Sequence, residues 1–187
     1  MEKARRLLFW QPQKDYLKVF LTTKFLNYLL IFLNYFIWAF LFYIACLLVK
    51  NNFFSLGQIL VALVISEIGE RWIKSKVYWR RPFLNRHDSI PQGLVVNWYR
   101  TGSFPSGHTA KAVFFFFLVE HYGVFNPILY WLIIIPLLLF RVVVGFHYPI
   151  DLLGGMVIGL ISYFLSLLIV LTPVVSNLIE KIFNFLC

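Results

Sequence analysis

A histidine and an aspartate four residues apart are the most reactive pair in the sequence. His147 and Asp151 would share one face of a helix, so the carboxylate can accept a hydrogen bond from one imidazole nitrogen. That bond fixes the tautomer and leaves the other nitrogen free as a nucleophile. Arg141 precedes the pair at the end of an apolar stretch, where a cation is costly without a partner. A salt bridge between Asp151 and Arg141 at a helix end is the alternative interpretation.

A second cluster, Gly102–His108, stands where another apolar stretch begins. The start of a helix offers unpaired backbone N–H groups and a positive dipole end, which together make an anion site. Gly107 lets an anion approach the backbone, and Ser106 adds a hydroxyl donor. His108 adds a group that can donate a proton near neutral pH. The alternative is that Ser103 or Ser106 is a plain N-cap.

Lys74 and Arg81 form the third cluster, and Pro82 follows Arg81 directly. If residues 74–81 continue the preceding helix, both cations lie on one face, two turns apart. Pro82 then ends that helix. For Lys74 alone, the alternative is an ordinary positive charge at the edge of a membrane span.

Together, the three clusters offer cations, a helix start and two histidines. This set suits the binding and transfer of a tetrahedral oxyanion, because phosphoryl transfer depends mainly on positioning and electrostatics. The sequence shows no His, Cys and carboxylate set at metal-binding spacing and no glycine-rich nucleotide loop. We therefore expect a mechanism without a metal or other cofactor. Cys46 and Cys187 lie far apart and indicate neither a disulfide framework nor a metal site.

The composition predicts that a membrane surrounds this chemistry. Of 187 residues, 60% are hydrophobic and only 13% are charged, whereas soluble domains are about 45–50% apolar and about 25% charged. A soluble protein of this composition would expose large apolar patches, and the same numbers exclude a disordered chain. The formal charge of +9 is explained by basic residues at membrane edges, so no nucleic-acid partner is expected.

The apolar stretches predict an all-α fold, a polytopic transmembrane helical bundle with about five spans. Residues 1–24 mix basic and apolar side chains, which favours an amphipathic helix at the membrane interface. A partly disordered basic leader is the alternative. Residues 25–187 then form one transmembrane domain, and counting the spans places all three clusters on the same side of the membrane. The predicted spans cover about residues 25–49, 56–73, 105–121, 127–144 and 150–171.

Taken together, the clusters resemble the three-part signature of the type-2 phosphatidic acid phosphatase superfamily, which shares its catalytic core with vanadium haloperoxidases and the glucose-6-phosphatases. That signature reads K-x6-R-P, then P-S-G-H, then S-R-x5-H-x3-D. All three parts occur here in order and at the right spacing, within about residues 56–170. One position departs from it, because Phe140 stands where the family usually has Ser. This change removes one possible hydrogen bond to phosphate.

The resemblance implies a phosphatase with a phosphohistidine intermediate. His147 would attack phosphorus, Asp151 would orient it, and His108 would protonate the leaving group. The phosphoryl oxygens would be held by Lys74, Arg81, Ser106, the Gly107 N–H and Arg141. The expected substrate is a phosphorylated membrane lipid: undecaprenyl diphosphate, phosphatidylglycerol phosphate, phosphatidic acid or the lipid A 1-phosphate. Three basic residues outside the signature would suit a diphosphate or other polyanionic head group: Arg80, Arg86 and Arg100.

Location and activity each leave an alternative open. The resemblance implies an integral membrane protein of the bacterial inner membrane, with its site on the extracytoplasmic face and the bilayer as its surroundings. The basic residues of segment 1–24 and of region 71–111 point instead to a cytoplasmic face. A lipid or phosphate transporter with the same anion site is the alternative function, although a transporter would hold its ligand near the bilayer midplane. The sequence indicates no oligomeric state.

Overall fold

The computed structural model describes residues 2–76, 79–170 and 181. Over this part of the chain, the fold consists of eight α-helices and one 3₁₀ helix, which confirms the all-α class. Residue 171, the predicted end of the fifth span, and Cys187 lie outside the described residues. The α-helices are α1 (Glu2–Leu8), α2 (Tyr16–Phe20), α3 (Lys24–Asn51), α4 (Phe54–Lys76), α5 (Val96–Arg100), α6 (Gly107–Tyr122), α7 (Pro127–Val143) and α8 (Pro149–Val170).

Two of these helices are long and apolar enough to cross a membrane among the residues described, namely α3 and α8. Both coincide with predicted spans. Helices α4, α6 and α7 also lie where spans are predicted, but α6 has 16 residues and α7 has 17. At about 1.5 Å per residue, these two are shorter than a hydrocarbon core of about 30 Å. The structure therefore supports two spans, and the count of five remains a prediction.

Local sequence explains where the helices around the site begin and end. Thr23 caps α3 by accepting a hydrogen bond from the Leu26 N–H. Ser106 caps α6 in the same way through the Thr109 N–H, and Gly123 ends α6 in the left-handed conformation at φ 63°. Asn126 caps α7, whose first residue is a proline.

Helix α6 is the centre of the bundle: its first nine residues are all buried, and α3, α4, α7 and α8 contact it. Gly155 and Gly159 of α8 form a small-xxx-small pair, which allows a neighbouring helix to approach closely. A Cβ atom at Gly155 would overlap the Ser106 carbonyl oxygen, and one at Gly159 would overlap that of Ala110. The glycines thus bring α8 against the start of α6, where the Ser106 N–H donates to the Asp151 carbonyl at 2.9 Å.

The first segment differs from the single amphipathic helix predicted over residues 1–24. It forms two short helices, α1 and α2, separated by a stretch that contains Pro12. Proline lacks an N–H and disfavours a helix interior, and Asp15 starts α2 by accepting from the Lys18 N–H. Leu17 is 1% exposed and packs with Phe83 and Phe146 in a hydrophobic cluster. Part of this segment therefore packs on the protein itself.

The loop that carries Arg81 also differs from the prediction. Helix α4 is described as far as Lys76, but residues 79–81 are not helical, so the helix does not continue through residue 81; Arg81 precedes a 3₁₀ helix, Pro82–Asn85. The residue before a proline is disfavoured in the helical region, and Arg81 is extended at φ −64° and ψ 144°. Arg81 and Lys74 therefore reach the same cavity from a loop and a helix, not from one helix face.

Candidate active site

His147 lies in the turn between α7 and α8, outside the helix on which it was predicted to share a face with Asp151. The turn forms because the Arg141 carbonyl accepts from the N–H groups of Phe146 at 2.8 Å and His147 at 3.2 Å. Gly145 permits it with φ 81°, and its carbonyl accepts from the Phe83 N–H. The imidazole is therefore held by backbone geometry just before α8 starts.

The protonation of the His147 ring follows from its neighbours. Nδ1 lies 3.0 Å from the Ser103 carbonyl oxygen and 3.3 Å from Asp151 Oδ2. Both neighbours are acceptors, so Nδ1 carries the proton and Nε2 carries the lone pair. Nε2 in turn lies 3.5 Å from an Arg81 guanidinium nitrogen. This is the tautomer that a nucleophilic histidine needs, with Nε2 as the attacking atom.

The Asp151 carboxylate is fully buried behind His147, and each of its oxygens has a hydrogen-bond donor. The Trp79 indole N–H donates to Oδ1 at 3.0 Å, and the Tyr148 backbone N–H donates to Oδ2 at 2.7 Å. A buried carboxylate needs such partners. The carboxylate therefore has a fixed orientation toward the imidazole.

Arg81 is the best-anchored cation of the site, at 3% exposure. Its guanidinium donates to three backbone carbonyls, those of Phe146 at 3.0 Å, Thr101 at 3.3 Å and Gly102 at 3.4 Å. Burial, with a further contribution from the nearby Arg141, lowers the pKa of Arg81 to about 10. Arg81 is therefore still charged at neutral pH beside His147 Nε2.

The same surroundings act on the imidazole of His147. Burial, followed by the charges of Arg81 and Arg141, holds the pKa of His147 well below its usual 6.5. A positive imidazolium is disfavoured where the protein has already placed two guanidinium groups. The imidazole is therefore neutral at physiological pH.

Arg141, a cation in an apolar stretch, is stabilised by an asparagine that was not predicted as a site residue. Its guanidinium donates to the Asn34 side-chain oxygen and lies 5.5 Å from the Phe146 ring centroid. The Tyr99 hydroxyl donates to the same oxygen at 2.7 Å. The predicted alternative, a salt bridge between Arg141 and Asp151, does not occur among the described ion pairs. The sequence signal for Asn34 is weak, because Asn27 is a second amide in the same predicted span.

A cavity of about 540 Å³ opens beside His147, and six of the eight predicted site residues line it. His108 lies in the first turn of α6 and lines the cavity, and its ring centroid is 4.8 Å from that of Trp38. The six are Lys74, Arg81, Gly107, His108, Arg141 and His147; the other lining residues include Trp38, Glu67, Glu70, Arg71, Asn97, Tyr99, Thr101 and Lys111.

The two remaining predicted residues lie outside the cavity lining. Asp151 lies behind His147, as its predicted orienting role requires. Ser106 is fully buried, and its hydroxyl oxygen accepts from the Thr109 hydroxyl at 3.1 Å and from the Thr109 N–H at 3.5 Å. Ser106 therefore acts as the N-cap that the sequence left as an alternative, and its contact with phosphate remains a prediction.

A network of charges forms the cavity wall between α4 and α6. Two ion pairs between residues four apart on α4 are present, at 2.6 Å for Glu70–Lys74 and 2.8 Å for Glu67–Arg71. Lys111, which the sequence analysis missed, joins them by contacting Glu70 at 2.9 Å and Glu67 at 3.1 Å. Its signal is its position one turn after His108, on the same helix face.

Gly107 has a second reason to be glycine besides the approach of an anion. A Cβ atom there would overlap the carboxylate of Glu70, which packs directly against Gly107. The start of α6 thus already has one anion beside it. Any larger residue at this position would displace Glu70 from Lys74 and Lys111.

Three further basic residues do not line the cavity. Arg80 and Arg100 are exposed, and Arg86 donates to the Pro12 carbonyl at 2.6 Å. These three residues therefore give no sign of binding a polyanionic head group in the cavity. Among the residues that the structure describes, no group of three or more His, Cys, Asp and Glu side chains could hold a metal.

These features define the class of site: a neutral histidine faces a cavity lined by cations, and such an arrangement suits phosphoryl transfer. The chain belongs to the PAP2 superfamily, whose family model matches residues 55–174, more than half of the sequence. Members of this superfamily are generally phosphatases, which supports a phosphoric ester hydrolase. No curated protein and no solved structure matches the chain significantly.

Proposed function

We propose that this chain is an integral-membrane lipid phosphatase that works through a phosphohistidine at residue 147. The observation that carries the proposal is the His147 ring, whose Nδ1 is tied to Ser103 and Asp151 while Nε2 lies beside Arg81. Membership of the PAP2 superfamily supports the reaction class. The two apolar helices α3 and α8 support a membrane location.

In the proposed first step, the lone pair of His147 Nε2 attacks phosphorus while the bond from phosphorus to the lipid oxygen breaks. Lys74, Arg81 and Arg141 neutralise the charge that develops on the phosphoryl oxygens. The Gly107 N–H and the Ser106 hydroxyl are further donors in the proposal. His108 gives its proton to the leaving oxygen, because an alkoxide is a poor leaving group.

In the second step, water attacks phosphorus and gives a proton to His108, which lost its own proton in the first step, while the bond from phosphorus to Nε2 breaks. Inorganic phosphate leaves, and the imidazole returns to its neutral form with Asp151 still accepting from Nδ1. The cavity cations supply the positive charge throughout both steps. We therefore expect phosphate release to continue after exhaustive chelation of divalent ions.

The substrate we propose is a phosphate monoester or diphosphate of a membrane lipid. The candidates are undecaprenyl diphosphate, phosphatidylglycerol phosphate, phosphatidic acid and the lipid A 1-phosphate. We propose the bacterial inner membrane as the location, with the cavity open to the extracytoplasmic face, as is usual in the family that the signature resembles. Labelling of Asn97→Cys, in a background without Cys46 and Cys187, by a membrane-impermeant thiol reagent on intact cells would test that face.

The experiment that tests the function is phosphate release from these four lipids by the purified chain in detergent. His147→Ala should abolish release, since the nucleophile is lost. His121→Ala is the matched control, because His121 is exposed near the other end of α6. Release by His147→Ala at the rate of the unmodified chain would refute the mechanism. Binding of these lipids without any release by the unmodified chain would favour a transporter.

A further inference from the structure

Phe9 connects the first segment of the chain, residues 1–24, to the side of the candidate active site that lies behind His147, away from the cavity. It follows α1 directly, and its N–H donates to the Arg5 carbonyl at 3.0 Å. Its ring centroid lies 5.2 Å from that of Trp79, with an angle of 75° between the ring planes. The centroid of the Tyr148 ring lies 5.4 Å away, with an angle of 62° between the planes. Both contacts are edge-to-face, the arrangement that aromatic pairs prefer.

The two residues that Phe9 contacts are the same two that donate to the Asp151 carboxylate. Trp79 holds Oδ1 through its indole N–H, and Tyr148 holds Oδ2 through its backbone N–H. On its other side, the Trp79 ring packs against Phe104 at 5.0 Å. Trp79 is thus held between two phenylalanines, and one of them comes from the first segment.

A second contact fastens the same segment to the site loops. The Arg86 guanidinium, just after the 3₁₀ helix, donates to the Pro12 carbonyl at 2.6 Å. Phe9 and Pro12 both precede residue 55, where the match to the PAP2 superfamily begins. The contacts that this segment makes with the site therefore come from residues outside the region that matches the family.

We propose that the first segment is a positioning element of the active site, in which Phe9 holds Trp79 and Tyr148 so that they hold Asp151. This proposal rests on the function proposed above and adds no step to the reaction. The chain of contacts runs from Phe9 to the two donors, then to the carboxylate, and then to His147 Nδ1. Phe9 is a positioning residue because it acts through its neighbours and not on substrate.

The geometry explains why the contact matters. Asp151 Oδ2 lies 3.3 Å from His147 Nδ1, beyond the usual length of an N–H to oxygen hydrogen bond. A small rotation of the carboxylate would lose that bond and leave the imidazole with more freedom. The cations that would bind phosphate lie on the other side of the ring, so the loss should lower kcat and leave KM unchanged.

The direct test compares Phe9→Ala with Trp10→Ala in steady-state phosphate release. Trp10 is the adjacent aromatic residue and is 46% exposed, so its removal disturbs the same segment without loosening Trp79. We expect Phe9→Ala to lower kcat about fivefold to tenfold, the equivalent of about one hydrogen bond, with KM within about twofold. Trp10→Ala should leave both constants unchanged, and Phe9→Tyr should restore kcat because it keeps the ring.

Two further variants separate positioning from a general loss of packing. Trp79→Phe keeps the aromatic ring between Phe9 and Phe104 but removes the indole N–H, so it should lower kcat by a similar factor with an unchanged melting temperature. In an Asp151→Asn background, Phe9→Ala should have no further effect on kcat, since no carboxylate remains to be oriented. Trp79→Phe also decides the question if Phe9→Ala does not fold.

The results that overturn the proposal are distinct from those that overturn the proposed function. If His147→Ala retains phosphate release, the function is wrong. If His147→Ala is inactive while Trp79→Phe keeps full kcat, the function stands and the positioning role is wrong. An equal loss from Phe9→Ala with and without Asp151→Asn would also refute the positioning role.

Discussion

The two sides of the His147 ring differ in how they are built. On the cavity side, beside Nε2, five cations and two carboxylates line the wall. On the other side, Nδ1 meets a carbonyl and the Asp151 carboxylate, which is held by Trp79 and flanked by aromatic rings. The cavity side offers positive charge to an oxyanion, and the opposite side gives the His147 imidazole, the proposed nucleophile, a fixed orientation. Changes behind the ring should therefore lower kcat and leave KM unchanged, whereas changes in the cavity should alter phosphate binding or the departure of the leaving group.

The largest expected effect comes from the back of the ring. Asp151→Asn keeps the shape of the side chain but replaces the acceptor with an amide, so Nδ1 loses its charged partner. We expect kcat for phosphate release to fall about a hundredfold or more, with KM within about twofold. Asp88→Asn, in the exposed loop after the 3₁₀ helix, is the control. A rise in KM with unchanged kcat would mean that Asp151 contributes to substrate binding, and the proposed difference between the two sides of the ring would be wrong.

On the cavity side, His108 should act on the leaving group alone. His108→Ala should lower the rate on a lipid phosphate about a hundredfold, but the rate on an activated aryl phosphate only a fewfold, because an aryl oxide leaves without a proton. Both substrates are measured with one preparation, so that folding defects cancel in the ratio. An equal loss on both substrates would make His108 a phosphate-binding donor and not the general acid.

A smaller effect should separate the two carboxylates of the cavity wall. Glu70 contacts Lys74 and Lys111 and is 14% exposed, whereas Glu67 is 45% exposed. Glu70→Gln removes a poorly screened negative charge, so the inhibition constant of inorganic phosphate should fall about threefold to tenfold. Glu67→Gln, the matched control, should change it less than about twofold because solvent screens that charge. A higher constant for Glu70→Gln would mean that Glu70 holds Lys74 in place for phosphate.

The smallest expected effect concerns pH. The nucleophile must be neutral, and the pKa of His147 is held well below 6.5 by burial and by the neighbouring guanidinium groups. The neutral form therefore persists as pH falls through 6.5 and is lost only below that value. The kcat/KM for an activated aryl phosphate, corrected for substrate ionisation, should stay flat through this range. An acid limb centred at or above 6.5 would contradict the electrostatic account of the ring.

The residues that line the cavity were predicted from the sequence far better than those on the opposite side of the His147 ring. Charged residues stand out in a chain that is only 13% charged, so Lys74, Arg81 and Arg141 could be found from their spacing. Ser103 was missed as a partner of His147 because it acts through its carbonyl, which every residue has. Trp79 was missed because one aromatic residue among many, in a chain that is 20% aromatic, carries no signal of its own.

Two elements show why the fold was predicted only in part. Helices α3 and α8 are uncharged over most of their length, and apolar stretches of that kind predict helices reliably. The loop after α4 depends on Pro82 and on the contacts of Arg81 with three distant carbonyls. Helical spacing alone cannot reveal such contacts, so the predicted continuation of α4 through residue 81 was wrong.

The most direct test of the account is to locate the phosphoryl group on the protein during turnover. The unmodified chain would be mixed with substrate, quenched within milliseconds under alkaline conditions that preserve phosphohistidine, and examined by mass spectrometry and phosphorus NMR. Because Nδ1 is occupied by Ser103 and Asp151, the account predicts a phosphoryl group on Nε2 of His147 and none in His147→Ala. A phosphoryl group on Nδ1, or on any other residue, would contradict it.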